Sequence, residues 1–239
     1  VMAATVIVSG GTGGLGSAVT ARLLDDGWRV VVPYIDPGKL DRLPDPQSLT
    51  RGALVTVQAD LFEETGAAAT VQAGTAEPDF PLTALVNLVG GFSMGKRVDG
   101  TPISDFDDLM RINLRPLYLL SRLALPEIVA SGGGSVVGVS AKAAFTPFPN
   151  ASGYLTAKAA VWTFINSLAT EYARDGVRAN AILPSIIDTP ANRESQPGAD
   201  RSNWVSPADI AKVVAFLVSD DSAAVTGAQI PVPGVARRS

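Results

Sequence analysis

Seven short apolar segments rich in β-branched residues recur along this chain and restrict it to one broad class of fold. Each segment is apolar almost throughout rather than alternating between apolar and polar residues, which is typical of strands buried on both faces of a parallel sheet. The segments are ATVIVS (4–9), RVVVPY (29–34), ALVTVQ (53–58), LTALVN (82–87), SVVGVS (135–140), RANAIL (178–183) and AQIPV (228–232). The sequence therefore predicts a parallel sheet.

Longer stretches with helical spacing separate these segments. Residues 154–172 and 206–219 form two of them, and Ser206 with Asp209 three residues later is a helix-start signal. Two further sets of residues each share one helix face: Leu15, Val19 and Leu23, and then Phe106, Leu109, Met110, Leu114 and Leu117. Strands that alternate with helices form βαβ units. We expect an α/β fold, a Rossmann-type doubly wound parallel sheet, as a single domain over residues 1–239.

Composition excludes several classes of function. The 239 residues are 46% hydrophobic, enough for one sizeable core, and they include no Cys and no His. The commonest metal ligands and the commonest general base are therefore missing, so we expect no metal site, and proton transfer falls to carboxylates, Lys or Tyr. A net charge of −4 argues against nucleic acid as a partner.

Membrane and export signals are also absent from the sequence. No apolar run reaches the roughly 18 residues of a membrane span. The start, VMAATVIVSGG, lacks the basic region and the long apolar run of a signal peptide. We expect a cytoplasmic protein with no membrane partner.

A glycine-rich loop follows the first apolar segment and precedes the first helical one. Gly10, Gly14 and Gly16 are spaced G-x-x-x-G-x-G, which suits a tight turn, a close backbone approach to a pyrophosphate and a helix N-terminus facing the anion. Glycines also serve plain turns, but this strand–loop–helix context predicts dinucleotide binding. The absence of a GK[ST] sequence argues against a nucleoside triphosphatase.

The end of the second segment leaves the choice between NAD and NADP open. An acid there would bind the ribose 2′-hydroxyl of NAD, and a basic residue would favour NADP. Tyr34 occupies the expected position, and Asp36 follows two residues later. Asp36 is either the acid displaced along the chain or a turn former before Pro37.

Several motifs, in order along nearly the whole chain, resemble the short-chain dehydrogenase/reductase family. Two of them depart from the family pattern: Leu88 and Val89 replace residues of its NNAG stretch, and Ser185 replaces the glycine of its PGxxxT stretch. The motifs are SGGTGGLG at the glycine loop, QADL (58–61), LVNLVGG (85–91), MRINLRPLYLL (110–120), YLTAK with Tyr154 and Lys158, LPSIIDTP (183–190) and TGAQIPVPG (226–234).

The resemblance implies a cofactor, a catalytic set and an assembly. Tyr154, Lys158 and Asn113 would be catalytic, Asp60 would lie beside the adenine, and Ile187 and Thr189 would contact the nicotinamide carboxamide. The helices around 103–130 and 154–174 would pair between subunits, so we expect a homodimer or homotetramer. NAD(H) or NADP(H) would be bound by Gly10, Thr12, Gly14, Leu15, Gly16, Asp60, Leu61, Asn87, Tyr154, Lys158, Pro184, Ile187 and Thr189.

One catalytic residue of the family is missing. Its serine lies thirteen residues before the tyrosine, where this chain has Ala141. Ser140 is adjacent, but neighbouring side chains at a strand end point to opposite sides, so Ser140 would serve only if the loop shifted by one residue. The AKAA stretch and residues 188–204 resemble the dihydropteridine reductases, a branch that works with Tyr and Lys but without Ser.

The spacing of Tyr154 and Lys158 suits proton transfer. Four residues on one helix correspond to about 6 Å of rise, so the two side chains share a face. We expect the ammonium to lower the tyrosine pKa towards working pH, making Tyr154 the proton donor or acceptor. Asn113 would hold a water behind Lys158 and relay the proton. In the alternative interpretation, Tyr154 only packs at a helix start and Lys158 is solvated.

The methyl group of Ala141 leads to a prediction about the substrate. Losing one hydrogen-bond donor to a developing oxyanion typically costs about 3–4 kcal/mol. A C=N group (imine, iminium or quinonoid dihydropterin) or an activated carbonyl needs less stabilisation by hydrogen-bond donors. We therefore expect an NAD(P)H-dependent reductase of such a small molecule. The alternatives are an ordinary ketone reductase or alcohol dehydrogenase, and a non-catalytic dinucleotide sensor.

Two further features suit a substrate site. Residues 188–204 are polar and Pro-rich, as expected for a lid, although surface loops need no function. Four aromatic residues are candidates for a flat pocket, although each is by itself more typical of a core: Phe92, Phe145, Phe148 and Trp204.

Overall fold

A seven-stranded sheet, parallel throughout, forms the centre of the computed structural model, which describes residues 4–45 and 53–234. Its strand order is β3-β2-β1-β4-β5-β6-β7. All seven predicted strands are confirmed, with ends that move by at most one residue. They are β1 (Thr5–Ser9), β2 (Arg29–Tyr34), β3 (Ala53–Gln58), β4 (Leu82–Asn87), β5 (Gly134–Val139), β6 (Val177–Pro184) and β7 (Gln229–Val232).

Within the described residues, six α-helices connect the strands, and they include all four that were predicted. The Ser206 signal is confirmed, since its Oγ accepts a hydrogen bond from the Asp209 N–H at 3.1 Å. The other two helices were not predicted, one because its Ala-rich sequence has little apolar periodicity and one because it spans only six residues. The helices are α1 (Gly16–Asp25), α2 (Glu64–Gly74), α3 (Ile103–Ala130), α4 (Ser152–Glu171), α5 (Pro190–Ser195) and α6 (Pro207–Val218).

Helices cover both faces of the sheet and bury two apolar clusters. One cluster packs α1 and α6 on the first face, and the other packs α2, α3 and α4 on the second. The expectation that every strand is buried on both faces is wrong for β3, whose residues are all exposed or half-buried, and for β7, of which only Val232 is buried. These two strands lie at the edges of the sheet, where each has a neighbour on one side only.

The chain winds outwards in two directions from the pair β1 and β4. Such a switch of winding opens a crevice at the carboxyl ends of the central strands, where ligands of open α/β sheets bind. A hydrogen bond of 2.6 Å from Ser9 Oγ to Asn87 Oδ1 joins the two strands at this point. The predicted fold class, a single-domain Rossmann-type sheet, is confirmed for the described residues; residues 1–3, 46–52 and 235–239 of the predicted 1–239 domain lie outside them.

Two observations concern the predictions about membranes and metals. Within residues 4–45 and 53–234, none of the helices combines the length and the apolar character of a bilayer-spanning helix. The same part of the chain contains no cluster of three or more acidic side chains placed to hold a metal ion.

Candidate active site

The glycine loop turns sharply between β1 and α1 and leaves little space for a side chain at Gly14 or Gly16. Gly10 adopts a φ of +73°, and its carbonyl accepts a hydrogen bond from the Gly13 N–H at 2.9 Å. A Cβ atom at Gly16 would lie 2.0 Å from that carbonyl oxygen. A Cβ atom at Gly14 would lie 3.0 Å from the side chain of Thr189. The sequence of the loop is therefore fixed by close backbone contacts.

The loop fits the pyrophosphate of a dinucleotide. Leu15 is the N-cap residue of α1 and offers no side-chain hydrogen bond to the first turn. The first N–H groups of a helix lack intrahelical partners and carry partial positive charge, so they suit an anion. Thr12 and Leu15 are buried, which fixes the turn, and the bare backbone of the three glycines permits close approach. These residues could hold the phosphates of NAD(H) or NADP(H).

The remaining predicted cofactor residues lie at the carboxyl ends of their strands. Asn87 and Leu61 are buried, whereas Asp60 is exposed and accepts a hydrogen bond from the Phe62 N–H at 2.9 Å. Pro184 ends β6. The chain then continues through Ile187, which forms an isolated parallel β-bridge with Val205, to Thr189, the N-cap of α5. The fold thus brings these residues to the same edge of the sheet as the glycine loop.

Asp36 forms a turn in this structure. Its Oδ1 accepts a hydrogen bond from the Gly38 N–H at 3.0 Å, and its Oδ2 lies 3.8 Å from the Lys39 ammonium. These contacts support the turn-former interpretation, although one carboxylate oxygen retains acceptor capacity. Acidic and basic groups therefore stand together after β2, and the choice between NAD and NADP stays open.

Lys158 is buried beside Tyr154 on α4. Its Nζ lies 6.0 Å from the centre of the Tyr154 ring and donates a hydrogen bond of 3.1 Å to the carbonyl of Val139, the last residue of β5. Only 6% of Lys158 is exposed to solvent. Burial disfavours the charged amine and lowers the pKa of Lys158 to about 8. The alternative of a solvated lysine is therefore wrong.

The prediction that Lys158 lowers the pKa of Tyr154 is wrong in this structure. Burial raises the pKa of Tyr154 to about 12 because the phenolate is desolvated. The Lys158 ammonium does not offset this effect, since burial also disfavours its own charge. Phe92 adds to the apolar surroundings, packing edge to face on the tyrosine with ring centres 4.9 Å apart. Tyr154 is thus a phenol at neutral pH and can donate a proton.

Asn113 fixes the loop that follows β4. Its Nδ2 donates to the carbonyls of Gly91 at 3.0 Å and Leu109 at 2.9 Å, and its Oδ1 accepts from the Gly91 N–H at 3.2 Å. These bonds hold the loop against α3. The water relay assigned to Asn113 stays a prediction.

Gly90 separates Asn113 from Lys158 and was missed as a site residue. A Cβ atom there would lie 2.7 Å from Asn113 Oδ1 and 2.9 Å from Lys158 Nζ. Any larger residue would push the two side chains apart. The glycine pair of LVNLVGG was the available signal, but the sequence did not reveal what lay on either side of it.

Ser140 does not occupy the position of the missing serine. The residue is 2% exposed, and its Oγ donates a hydrogen bond of 2.7 Å to the main-chain carbonyl of Lys158. Ala141 has extended backbone angles (φ −151°, ψ 146°), so its methyl group leaves the chain on the opposite side. The loop has not shifted by one residue, and the hydroxyl of Ser140 is directed at helix α4.

The four aromatic candidates do not stack on one another among the described residues. Phe92 contacts Tyr154, but Phe145 packs on Trp162, with ring centres 5.7 Å apart. Phe148 lines a cavity of about 780 Å³ beside the first turns of α4. Trp204 stacks on none of the other three candidates among the described residues. Phe92 therefore lies against Tyr154, and the flat pocket from all four aromatic residues stays a prediction.

The predicted lid is anchored at both ends. The Val205 N–H donates a hydrogen bond of 2.9 Å to the carbonyl of Ile186, and the Asp188 N–H donates one of 2.9 Å to the carbonyl of Val205, which closes residues 188–204 into a loop. Arg193 pairs with Asp188 across the short helix α5. Since Thr189 also contacts the glycine loop at Gly14, this segment borders the cofactor site.

Comparisons with known proteins agree with this geometry. The family model described as enoyl-(acyl carrier protein) reductase matches residues 10–234. A 2-(R)-hydroxypropyl-CoM dehydrogenase of Xanthobacter autotrophicus is 30% identical, over 98% of both chains. A 4-formylbenzenesulfonate dehydrogenase of Comamonas testosteroni is 32% identical, over 95% of both. The solved structure of a short-chain type dehydrogenase/reductase from Mycobacterium ulcerans superimposes with a TM-score of 0.88 at 28% identity, covering 96% of this chain and 88% of the other.

The chain belongs to the short-chain dehydrogenase/reductase family. It is an NAD(P)-dependent oxidoreductase of small molecules, and its cofactor is NAD(H) or NADP(H). The glycine loop, Tyr154 and Lys158 occupy the positions of the family motifs quoted above, so the fold and the resemblance point to the same edge of the sheet.

The glycine loop can be tested by adding one methyl group. We expect Gly16→Ala to lower the affinity for NADH and NADPH at least tenfold, because its Cβ would displace the Gly10 carbonyl. Isothermal titration calorimetry measures the affinity, and circular dichroism checks the fold. Gly198→Ala is the control, since a Cβ atom there meets no atom within 4 Å. Equal affinities for the two variants would contradict the assignment.

Proposed function

We propose that this enzyme transfers a hydride from NADH or NADPH to a C=N group, or to a strongly activated carbonyl, with Tyr154 as proton donor. The observation that carries the proposal is the pair Ser140 and Ala141. Ala141 has a methyl group where the family has its serine. The hydroxyl of Ser140 donates its hydrogen bond to the main-chain carbonyl of Lys158. The proposed site therefore contains one hydroxyl donor instead of two.

The catalytic roles follow from the protonation states of the two side chains. When the cofactor is bound, its nicotinamide supplies the hydride to the substrate carbon. Tyr154, a phenol with a pKa of about 12, gives its proton to the substrate nitrogen or oxygen. Lys158, with a pKa of about 8, exchanges protons readily near neutral pH and supports reprotonation of Tyr154. Asn113 keeps the loop at Gly90 and Gly91 in place between the two helices.

The chemistry of the acceptor explains how one donor is enough. Reducing an unactivated ketone concentrates negative charge on oxygen, and a missing donor costs about 3–4 kcal/mol of transition-state stabilisation. An iminium carbon is already electrophilic, and a quinonoid C=N regains conjugation when it accepts hydride. Such a substrate needs at most one proton, which Tyr154 provides.

Further support comes from the chain around the site. The AKAA stretch and residues 188–204, which resemble the dihydropteridine reductases, border the catalytic helix and the glycine loop respectively. Phe92 presents a 58% exposed aromatic ring beside Tyr154, a suitable surface for a flat, conjugated substrate. We infer that a quinonoid dihydropterin or a cyclic imine is the best class of substrate to test first.

Ordinary carbonyl reduction is the second candidate. The relatives named above for 4-formylbenzenesulfonate and 2-(R)-hydroxypropyl-CoM favour it, since an aldehyde and a secondary alcohol appear in their names. A non-catalytic sensor is the third, and the buried arrangement of Tyr154, Lys158 and Asn113 argues against it. Binding of a dinucleotide alone would not require a lysine held in a low-dielectric site.

Two substitutions test this proposal. We expect Tyr154→Phe to lower kcat/KM for an imine by at least about 10², because the proton donor is lost. Ala141→Ser should change turnover of the imine little. The same change should raise turnover of an activated ketone by up to about 10² if the new hydroxyl reaches the carbonyl oxygen. Steady-state kinetics on a cyclic imine and an activated ketone measure both effects.

The opposite pattern would contradict the proposal. If Tyr154→Phe retained full activity, Tyr154 would not be the donor. If Ala141→Ser improved the imine and the ketone equally, the missing hydroxyl would say nothing about the substrate.

We also propose that the enzyme is a homodimer or homotetramer formed through α3 and α4. Tyr118 of α3 is 51% exposed, and its ring lies 5.8 Å from that of Phe164 on α4, so an aromatic surface spans both helices. Light scattering at micromolar concentration should give two or four times the chain mass of 24.7 kDa. The double variant Tyr118→Asp with Phe164→Asp should shift the mass towards that of one chain. A monomeric wild-type protein would contradict this assembly.

A further inference from the structure

Val139 and Ser140, at the end of strand β5, both form hydrogen bonds with Lys158. The carbonyl of Val139 accepts a hydrogen bond from the Nζ of Lys158 at 3.1 Å, and the hydroxyl of Ser140 donates to the main-chain carbonyl of the same lysine at 2.7 Å. The last residue of β5, Val139, and the residue that follows it, Ser140, therefore hold both ends of one lysine. We call this pair of contacts the lysine clasp.

The sheet anchors Ser140 itself. Its N–H donates to the carbonyl of Ile182 on β6 at 3.0 Å, so the residue is an extension of the strand ladder. Its side chain is 2% exposed, and the hydroxyl hydrogen has a single acceptor in the contacts of the structure. The hydrogen bond from Ser140 Oγ to the Lys158 carbonyl therefore fixes helix α4 relative to the sheet.

The acceptor of this bond lies one helical turn from Tyr154. In an α-helix the carbonyl of Lys158 also accepts from the N–H four residues later, so the serine uses its second lone pair. The bond is not needed to satisfy the helix. What it does fix is the distance between α4 and the end of β5, and hence the depth at which the Lys158 side chain is buried.

We propose that Ser140 is a positioning residue, which sets the placement of Lys158 and Tyr154 by holding α4 to the end of β5. This inference rests on the proposed function of Tyr154 and Lys158. In this chain the serine beside the vacant catalytic position acts on the catalytic helix and not on the substrate. A displacement of about 1 Å at a catalytic group can lower the rate by up to 10², so the clasp matters for turnover.

The charge state of Lys158 reports on the clasp independently of activity. The groups that face its ammonium are Tyr154 from the same helix, the carbonyl of Val139 from β5 and, across Gly90, the amide of Asn113 from α3. Its pKa of about 8 results from burial. A loosened helix admits water, which favours the charged form and raises the pKa towards its ordinary value.

The chain provides a matched control for this hydrogen bond. Ser135 lies on the same strand, is completely buried, and donates from Oγ to the carbonyl of Leu217 on α6, also at 2.7 Å. Ser135→Ala therefore removes a bond of the same kind and length on the opposite face of the sheet. Ser140→Cys provides a second comparison, because it fills the space of the serine but donates only weakly.

The experiment combines NMR titration with steady-state kinetics. Protein labelled at the ε-carbon of its five lysines is titrated, and Lys158→Met assigns the Lys158 signal. We expect Ser140→Ala and Ser140→Cys to raise the titration midpoint of Lys158 by at least about half a pH unit. The same two variants should lower kcat about tenfold with little change in KM. Ser135→Ala should leave both the midpoint and kcat at wild-type values.

The possible outcomes separate this inference from the proposed function. Identical midpoints and kcat values in Ser140→Ala and Ser135→Ala would overturn it. So would a loss of activity as large as that of Tyr154→Phe with an unchanged midpoint, since Ser140 would then act on the substrate. If Tyr154→Phe kept its activity while Ser140→Ala still raised the midpoint, the proposed function would be wrong and the clasp would stand.

Discussion

The burial of the Lys158 amine is the constraint on which the rest of the site depends. An ammonium taken out of water is costly unless it is paired, and here its recorded hydrogen bond is to one main-chain carbonyl. The neutral amine is therefore favoured more than in solution, and the pKa falls to about 8. The loop after β4 passes close to the amine, and a Cβ atom at position 90 would displace the Lys158 Nζ or the Asn113 Oδ1. Asn113 holds that loop from the other side.

The same low-dielectric surroundings define what Tyr154 can do. Burial keeps it a phenol, so at neutral pH it is ready to give a proton and poorly suited to take one before the cofactor binds. Burial thus suits the proposed role of Tyr154 as proton donor. It also increases the effect of each hydrogen-bond donor near the reacting atom, because electrostatic interactions strengthen in a dry site. Under the proposed function, we therefore expect the methyl group of Ala141, in place of a hydroxyl, to have a large effect on which substrates are reduced well.

The sequence predicted the sheet well because both patterns behind it are local. Seven apolar segments and a glycine loop between a strand and a helix could be recognised without any knowledge of tertiary contacts. Helix α2 was not predicted because an Ala-rich helix buries a narrow face that differs little in apolar character from its other faces. Strand β3 was predicted as buried on both faces because the segment alone does not show that it lies at the edge of the sheet.

The fine structure of the site could not be predicted in the same way. The spacing of Tyr154 and Lys158 placed them on one face but did not give the burial that reverses the expected pKa shift of the tyrosine. The sequence showed Ser140 next to a missing serine, and only the strand–helix contact shows that its hydroxyl faces Lys158. Gly90 became a site residue because of what lies on either side of it. Each of these features depends on contacts between residues distant in the chain.

The central claim is that a site with one hydroxyl donor prefers an acceptor whose reduction places less negative charge on the accepting atom. The most direct measurement compares kcat/KM of the wild-type enzyme for a cyclic imine, a quinonoid dihydropterin and an unactivated cyclic ketone of the same ring size, with NADH and with NADPH. The account predicts that at least one C=N substrate exceeds the ketone by about 10² or more with the preferred cofactor. Equal values for the C=N and C=O substrates, or a preference for the ketone, would contradict it.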